Sequence, residues 1–323
     1  MEHAPIVNWA LAQRAATVTA GTLPRVTRPE AEQLVADLRV TAHRAGRLAA
    51  RYLGLDSAGA EVVTVVDWAG WARAVRSMTD GAVAELGLPA RPPHPLNALR
   101  GLGNGLAAGL ALGAVSRRML GQYDAFTGTR ALYLVAPTVV AHERSHSFVP
   151  RDFRLWIALH EQTHALQFQA APWLRDHLRS LMARLAADDA HLLEALAGWR
   201  STGEAAALLT STTGRADLAA LTAAMTFLEG HADHVSDRAG RGQVKTVAAL
   251  RRAFHRPKST TVLSRLVGSL SKNAQYRDGL AFCTAVYRSR GKQALARAFE
   301  SAEALPTPSE IADPGAWVRR VHG

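Results

Sequence analysis

Two histidines four residues apart, with a glutamate between them, are the residues of this sequence best suited to chemistry. They stand in the stretch His160-Glu161-Gln162-Thr163-His164. Because an α-helix returns to one face after about 3.6 residues, His160 and His164 can bind the same metal ion. Glu161 would lie at the flank of the metal, where a carboxylate can take a proton from a water whose pKa zinc lowers to about 7. The spacing therefore predicts a hydrolytic zinc site with Glu161 as its general base.

The residues around this motif favour a helix whose histidines point inward. One helical stripe carries Phe153, Ile157, His160, His164 and Phe168. Pro150 and Asp152 suit the start of the helix, and Pro172 prevents its continuation. The other neighbours are uncharged, as a partly buried metal site prefers; they are Ala158, Gln162, Thr163 and Ala165. The alternative interpretation is a helix with two buried core histidines, a surface glutamate and no metal.

A hydrolytic zinc site needs a third protein ligand and an open fourth position. Glu229 is the best candidate, because it lies in a second predicted helix over residues 218–238. Its rival is His231. A helix separates positions 229 and 231 by about 200°, so the two side chains cannot readily bind one metal ion. The residues alone leave a site of three histidines open.

Two residues close to Glu229 add to this hypothesis. Asp233 follows one helical turn later on the same face, where it can accept a hydrogen bond from the second ring nitrogen of a ligand histidine. Gly230 in mid-helix costs about 1 kcal/mol relative to alanine. This cost predicts the close approach of another element, which we expect to be the helix of His160 and His164.

Hydrolysis of a carbonyl also requires a donor that faces the developing oxyanion. The candidates are His231, His234 and Tyr276. Peptide amides, small amides and esters would all use the same zinc water, so these residues do not select the substrate. We expect a peptide or a small amide.

Several further stretches resemble the gluzincin branch of the zincin-like metallopeptidases, and more closely an uncharacterised bacterial group of hydrolases within it. They are Gly121-Gln122-Tyr123-Asp124, Leu134-Val135-Ala136-Pro137, Phe153-Arg154-Leu155-Trp156 with the histidine motif, Glu229-Gly230-His231-Ala232-Asp233, Gln275-Tyr276 and Leu305-Pro306-Thr307. One branch of that group is associated with biosynthesis of a deazaflavin coenzyme. Leu280 departs from the group's pattern, in which an acidic residue is common at that position.

The resemblance implies a role for each site residue. His160, His164 and Glu229 would bind Zn²⁺, Glu161 would act as the base, and Asp233 would hydrogen-bond a ligand histidine. In zincins the strand before the zinc helix commonly forms the edge on which an extended substrate lies. By resemblance, residues 132–140 would form that edge; the alternative is a plain core strand.

Length and composition fit one domain over residues 1–323, and the helical patterns with few strands predict a mostly α (α+β) class with a small β-sheet. The resemblance implies that this domain has a zincin-like fold. We expect a helical N-terminal part, 1–120, and a zinc-binding catalytic part, 121–323. Predicted helices include 29–53, 68–86 and 97–120, and predicted strands are 62–66 and 131–135. The apolar, glycine-rich run 101–115 is expected to be a buried helix too short to span a membrane. The single cysteine, Cys283, and the absence of an export signal predict a cytoplasmic protein.

A formal net charge of +11 invites comparison with nucleic-acid-binding proteins. The densest basic cluster consists of Arg238, Arg241, Lys245, Arg251, Arg252, His255, Arg256 and Lys258. It lacks the interleaved aromatic residues that stack on bases, so we expect a solvated surface and no nucleic-acid partner. The alternative function is a zinc-stabilised or metal-free helical protein that binds an anionic partner through this face.

Overall fold

The computed structural model describes residues 7–85, 95–187, 212–254 and 275–323. The α-helices, in chain order, are α1 (Trp9–Ala20), α2 (Arg28–Leu53), α3 (Trp68–Glu85), α4 (Pro95–Ser116), α5 (Ala136–His146), α6 (Pro150–Ala170), α7 (Trp173–Ala187), α8 (Thr212–Ala239), α9 (Val247–Phe254), α10 (Gln275–Arg290), α11 (Pro308–Ala312) and α12 (Pro314–His322). Short 3₁₀ helices cover Lys292–Phe299 and Ala302–Ala304. The strands are β1 (Val63–Val66), β2 (Gly121–Tyr123) and β3 (Leu132–Val135). The fold is mostly α with a small sheet, as the sequence predicts.

The three strands form one sheet in the order β1-β3-β2. β3 pairs in parallel with β1 and antiparallel with β2, so it is the central strand. The prediction that residues 132–140 form a free edge for substrate is therefore wrong, because both sides of β3 are occupied and residues 136–140 already belong to α5. The sequence analysis missed β2, since three residues that include a glycine carry no periodic signal. β1 brings the predicted helical N-terminal part into the same sheet.

Helix α6 carries the histidine motif through the centre of the larger hydrophobic core. It begins with Pro150 at its first turn and ends at Ala170, two residues before Pro172. The four uncharged neighbours of the motif are all buried, as predicted. Gln162 anchors the helix to its surroundings: its side-chain oxygen accepts from the Ala60 amide at 2.6 Å, and its amide group donates to the Ala42 carbonyl of α2 at 3.1 Å.

Helix α8 crosses α10 with backbone against backbone. A methyl group on Gly230 would collide with the backbone of Gly279, and a methyl group on Gly279 would collide with the carbonyl of Thr226. The close approach predicted for Gly230 is therefore present, but its partner is α10 and not the helix of His160 and His164. This crossing lies in a second hydrophobic core, which includes Phe227 and Phe282.

Helix α4 packs on α1 through glycines and exposes its leucines. Methyl groups on Gly105, Gly109 and Gly113 would collide with α1 or with the residue that precedes it. The exposed leucines are Leu99, Leu102, Leu106 and Leu110. The expected buried helix over 101–115 is therefore buried on one side only. Within the described part of the chain, Asn97–Ser116 of α4 is the one segment long and apolar enough to cross a membrane by length and composition.

We expect Gly230→Ala to lower the free energy of unfolding by about 1–3 kcal/mol, because the added methyl group must push α8 away from α10. Urea denaturation of the protein in excess chelator measures this change without a contribution from bound metal. The control is Gly103→Ala on α4, where nothing lies within 4 Å of the added methyl group. That substitution should be neutral or stabilise the helix by up to about 1 kcal/mol. Equal unfolding midpoints for the two variants would contradict the tight crossing.

Candidate metal centre

Three donor groups from α6 and α8 converge on one point. His160 Nε2 lies 3.2 Å from His164 Nε2 and 3.3 Å from Glu229 Oε2, and His164 Nε2 lies 3.7 Å from Glu229 Oε1. One donor atom of each residue lies within 4.8 Å of the others. Tetrahedral zinc ligands at about 2.0–2.2 Å from the metal are roughly 3.4 Å apart. Two imidazoles and a carboxylate at this spacing therefore fit Zn²⁺.

The second ring nitrogen of each histidine has its own acceptor. His160 Nδ1 donates to Asp233 Oδ1 at 3.1 Å, which is the contact predicted for Asp233. His164 Nδ1 donates to Gln167 Oε1 at 2.9 Å. Such contacts fix the tautomer of a ligand histidine and leave Nε2 free for the metal. Gln167 is a site residue that the sequence analysis missed, although its place one turn after His164 on the same helix was a usable signal.

The carboxylates make the site attractive to a cation. Burial raises the pKa of Asp233, but its hydrogen bond from His160 and the charges of His160 and Arg251 outweigh burial and lower the pKa to about 2. Burial also opposes ionisation of Glu229, whose pKa is nevertheless lowered by His164 and His160. Two ionised carboxylates beside two imidazoles give the negative potential that a divalent cation requires.

Glu161 lies beside the donor cluster and against strand β2. A methyl group on Gly121 would lie 2.7 Å from Glu161 Cγ and 3.0 Å from Glu161 Oε1, so only glycine leaves room for this side chain. Burial raises the pKa of Glu161 to about 7, the charge of His160 opposes the increase, and Glu229 adds to it. A carboxyl group with a pKa near neutrality is well suited to accept and return a proton.

His231 does not join the converging donors. This residue is 3% exposed. The centroid of its ring lies 5.8 Å from that of Phe227 and 5.0 Å from that of Phe299. Its Nδ1 accepts from Gln167 Nε2 at 3.0 Å, so it is linked to His164 only through Gln167. Burial, followed by the nearby histidines, lowers the pKa of His231 to about 3, which keeps the ring neutral. The structure therefore places His231 behind a predicted ligand, and a catalytic role for it stays a prediction.

The other candidate oxyanion donors remain untested. His234 is buried, and its Nε2 lies 3.3 Å from the hydroxyl of Tyr52, while its ring packs on Tyr287. Tyr276 belongs to the first turn of α10, but its side chain lies outside the described residues. The assignment of either residue as the oxyanion donor stays a prediction.

The predicted basic cluster does not form one solvated face. The Arg251 side chain is only 14% exposed and pairs with Asp233 and Asp237. Arg238 stacks over the ring of Tyr287 at 4.2 Å. His255, Arg256 and Lys258 lie outside the described residues. The expectation of a solvated surface is therefore wrong for Arg251, because this side chain is part of the buried network behind the metal site.

Comparison with known proteins agrees with this geometry. Residues 7–318 match the model of a family described as zincin-like metallopeptidase. The chain belongs to this family. A zincin-like fold is thereby supported over nearly all of the sequence, including the two helices that carry the donor cluster.

A solved structure extends the comparison. The chain is similar to a candidate hydrolase with a novel fold from Chloroflexus aurantiacus, with a TM-score of 0.74 and 27% sequence identity. The alignment covers 98% of this chain and 99% of that chain. A search of curated proteins finds no match. The resemblance to the branch associated with deazaflavin coenzyme biosynthesis stays a prediction.

We expect wild-type protein to bind one zinc ion per chain, and His160→Ala, His164→Ala and Glu229→Ala each to lose it. Glu161→Gln should keep the metal, because Glu161 is not among the converging donors. Metal stoichiometry after zinc-replete purification and gel filtration measures the four variants. If Glu229→Ala kept its zinc while His231→Ala lost it, the third ligand assigned here would be wrong.

Proposed function

We propose that the protein is a zinc-dependent hydrolase, a metallopeptidase that cleaves peptide or small amide bonds. The observation that carries this proposal is the position of Glu161 beside three converging donor atoms. A zinc site that only stabilises the fold is usually closed by four protein ligands and needs no base. Here the described residues supply three ligands and a neighbouring carboxylate, which is the arrangement of a hydrolytic site.

The residues divide the reaction between them. His160, His164 and Glu229 would hold Zn²⁺, which supplies an acidified water and a Lewis acid for the carbonyl oxygen of the substrate. Glu161 would take the proton of the attacking water and deliver it to the leaving nitrogen, so its carboxyl group must exchange a proton near neutral pH. Its pKa of about 7 supports this role.

The position of strand β2 favours a substrate in an extended conformation. Among the described strands, β2 pairs only with β3, and it brings Gly121 against Glu161. A peptide aligned along the other side of β2 would pass the base with its backbone, as in strand addition to a sheet edge. We therefore propose β2 as the substrate edge, in place of the residues 132–140 expected from the sequence.

Three aromatic rings near Glu161 favour a substrate with an apolar side chain. Tyr123 follows two residues after Gly121, so the two share a face of β2. Its ring lies 5.9 Å from the ring of Phe168, and Phe126 lies 6.3 Å from Phe168. Phe168 itself is one helical turn beyond His164. All three rings are half-buried, which leaves part of their surface for a ligand.

The alternative function is an anion-binding helical protein, and Arg251 contributes little to it because its charge is already paired. Our proposal includes neither a nucleic-acid partner nor a membrane partner. A cytoplasmic location stays an expectation.

We expect Glu161→Gln to lower kcat by about 10²–10⁴-fold while zinc stays bound, since the amide cannot accept the proton. Assays would use a library of quenched fluorescent peptides with an aromatic or aliphatic residue at each position. Full activity of Glu161→Gln on a peptide that the wild type cleaves would exclude Glu161 as the base.

Gly121→Ala tests the role of Glu161 by changing the residue of β2 that packs against it. The new methyl group would lie 2.7 Å from Glu161 Cγ and would displace this side chain. We expect kcat to fall by at least about 10-fold with zinc stoichiometry unchanged, because a displaced base is no longer in reach of the reacting groups. Gly103→Ala should retain wild-type kcat, and a similar loss in that control would show that the effect does not come from contact with Glu161.

A further inference from the structure

Arg251 is bound on three sides behind the metal centre. Its Nη1 pairs with Asp233 Oδ2 at 2.8 Å, and its Nη2 donates to the backbone carbonyl of Asp233 at 2.8 Å. The same guanidinium reaches Asp237, with Nη2 at 3.0 Å and Nε at 3.1 Å from Oδ1. Its Cζ atom lies 5.2 Å from the centroid of the Trp156 ring on α6. The side chain therefore contacts both helices that carry the donor cluster.

The short helix α9 brings Arg251 to this place and is itself anchored to α6. Asp152 in the first turn of α6 accepts hydrogen bonds from the backbone amide and hydroxyl of Thr246, directly before α9. Phe254 at the other end of α9 packs against Trp156 and Phe153. Arg251 is thus held between two fixed ends of α9.

We propose that Arg251 is a positioning residue for the metal centre, acting through Asp233 on His160. Asp233 has two carboxylate oxygens with different partners: Oδ1 accepts from His160 Nδ1, and Oδ2 pairs with Arg251. Rotation of the carboxylate would break both of these contacts, while the bond from Arg251 to the backbone carbonyl of Asp233 keeps the guanidinium in place. The fixed Oδ1 then fixes the His160 ring with Nε2 towards Glu229.

The same contact keeps Asp233 from becoming a metal ligand itself. Asp233 lies one helical turn after Glu229 on the same face of α8, so a released carboxylate could swing towards the donor cluster. Its Oδ2 is engaged by Arg251, which leaves three protein ligands and an open fourth position. The inference rests on the metal site of the proposed function but does not depend on which bond is hydrolysed.

Arg251→Lys separates geometry from charge. Lysine keeps the positive charge, but its single ammonium group cannot reproduce the planar fork that contacts Asp233 at two atoms and Asp237 at a third. A change in zinc affinity in this variant therefore reports the loss of positioning and not the loss of a cation. Removal of outer partners of ligand histidines typically weakens metal binding by about 10–100-fold.

The experiment is a double-mutant cycle on zinc affinity, measured by competition with a chromophoric chelator. We expect Arg251→Lys to weaken zinc binding by about 10-fold and Asp233→Asn by about 10–100-fold. Because Arg251 acts through Asp233, the double variant should bind zinc no more weakly than Asp233→Asn alone. The visible spectrum of the Co²⁺-substituted protein should change in Arg251→Lys, as the ligand geometry does.

Arg154→Lys is the matched control. Arg154 lies on α6, its side chain is 17% exposed, and it forms a two-pronged pair with Glu143 at 2.7 and 2.9 Å. Its described partners are Glu143 and Asp37, away from Asp233 and the ligands, so its loss should lower the unfolding midpoint and leave zinc affinity within about two-fold of wild type. If Arg251→Lys does not fold, Asp237→Asn is the second variant, because it weakens one ion pair of Arg251 and keeps the guanidinium. It should weaken zinc binding by about two- to five-fold, less than the loss of a direct partner of a ligand histidine.

Unchanged zinc affinity in Arg251→Lys, or an equal further loss in the Asp233→Asn background, would overturn the inference. So would unchanged affinity in Asp237→Asn when the lysine variant does not fold. Failure of the wild-type protein to bind zinc would instead remove the metal site of the proposed function, so the two outcomes are distinguishable. Hydrolytic activity is not needed for any of these measurements.

Discussion

The metal centre depends on the packing of α8 against α6, because its donor atoms come from both helices. The two histidines belong to α6, and Glu229 and Asp233 belong to α8. Even partly buried carboxylates are costly unless each finds a cationic or hydrogen-bonding partner. Here Asp233 is paired with His160 and Arg251, and Glu229 faces both histidines. The polar network therefore holds only while the two helices keep their relative position.

That position is set by elements away from the donors. Glycines at 230 and 279 let α8 and α10 touch at the backbone, so α8 is also held by its close packing on α10. On the α6 side, Gln167 donates to the carbonyl of Leu228 at 2.8 Å and binds His164 with its oxygen. A residue that orients a ligand histidine thus also ties the two helices together. Packing and ligand geometry share the same contacts, and a change in one is expected to alter the other.

Strand β2 and helix α9 each bring one residue to the site. β2 brings a glycine against Glu161 and leaves the base a narrow space. α9 brings Arg251 to Asp233 from behind. Each element is short and would have little stability alone, since isolated short helices and strands are marginal in water. Their places come from anchors elsewhere: the pairing of β2 with β3, and the contacts of Thr246 and Phe254 with α6.

The sequence by itself determined the features whose physical basis is local. Helical spacing puts His160 and His164 on one face, Glu161 beside them, and Glu229 with Asp233 on one face of a later helix. Those relations follow from 3.6 residues per turn and need no knowledge of the fold. The mostly α class follows from the same periodicity, and family membership follows from the motifs taken together.

Only the tertiary structure decided which elements meet. The partner of Gly230 is α10, the central strand is β3, Gln167 orients His164, and Arg251 is an internal partner of Asp233. From the sequence, we expected Gly230 to approach α6, residues 132–140 to form a free edge, and Arg251 to lie in a solvated cluster. Each of these errors concerns contacts between residues far apart in the chain. Such contacts depend on how whole helices and strands pack, which local periodicity does not contain.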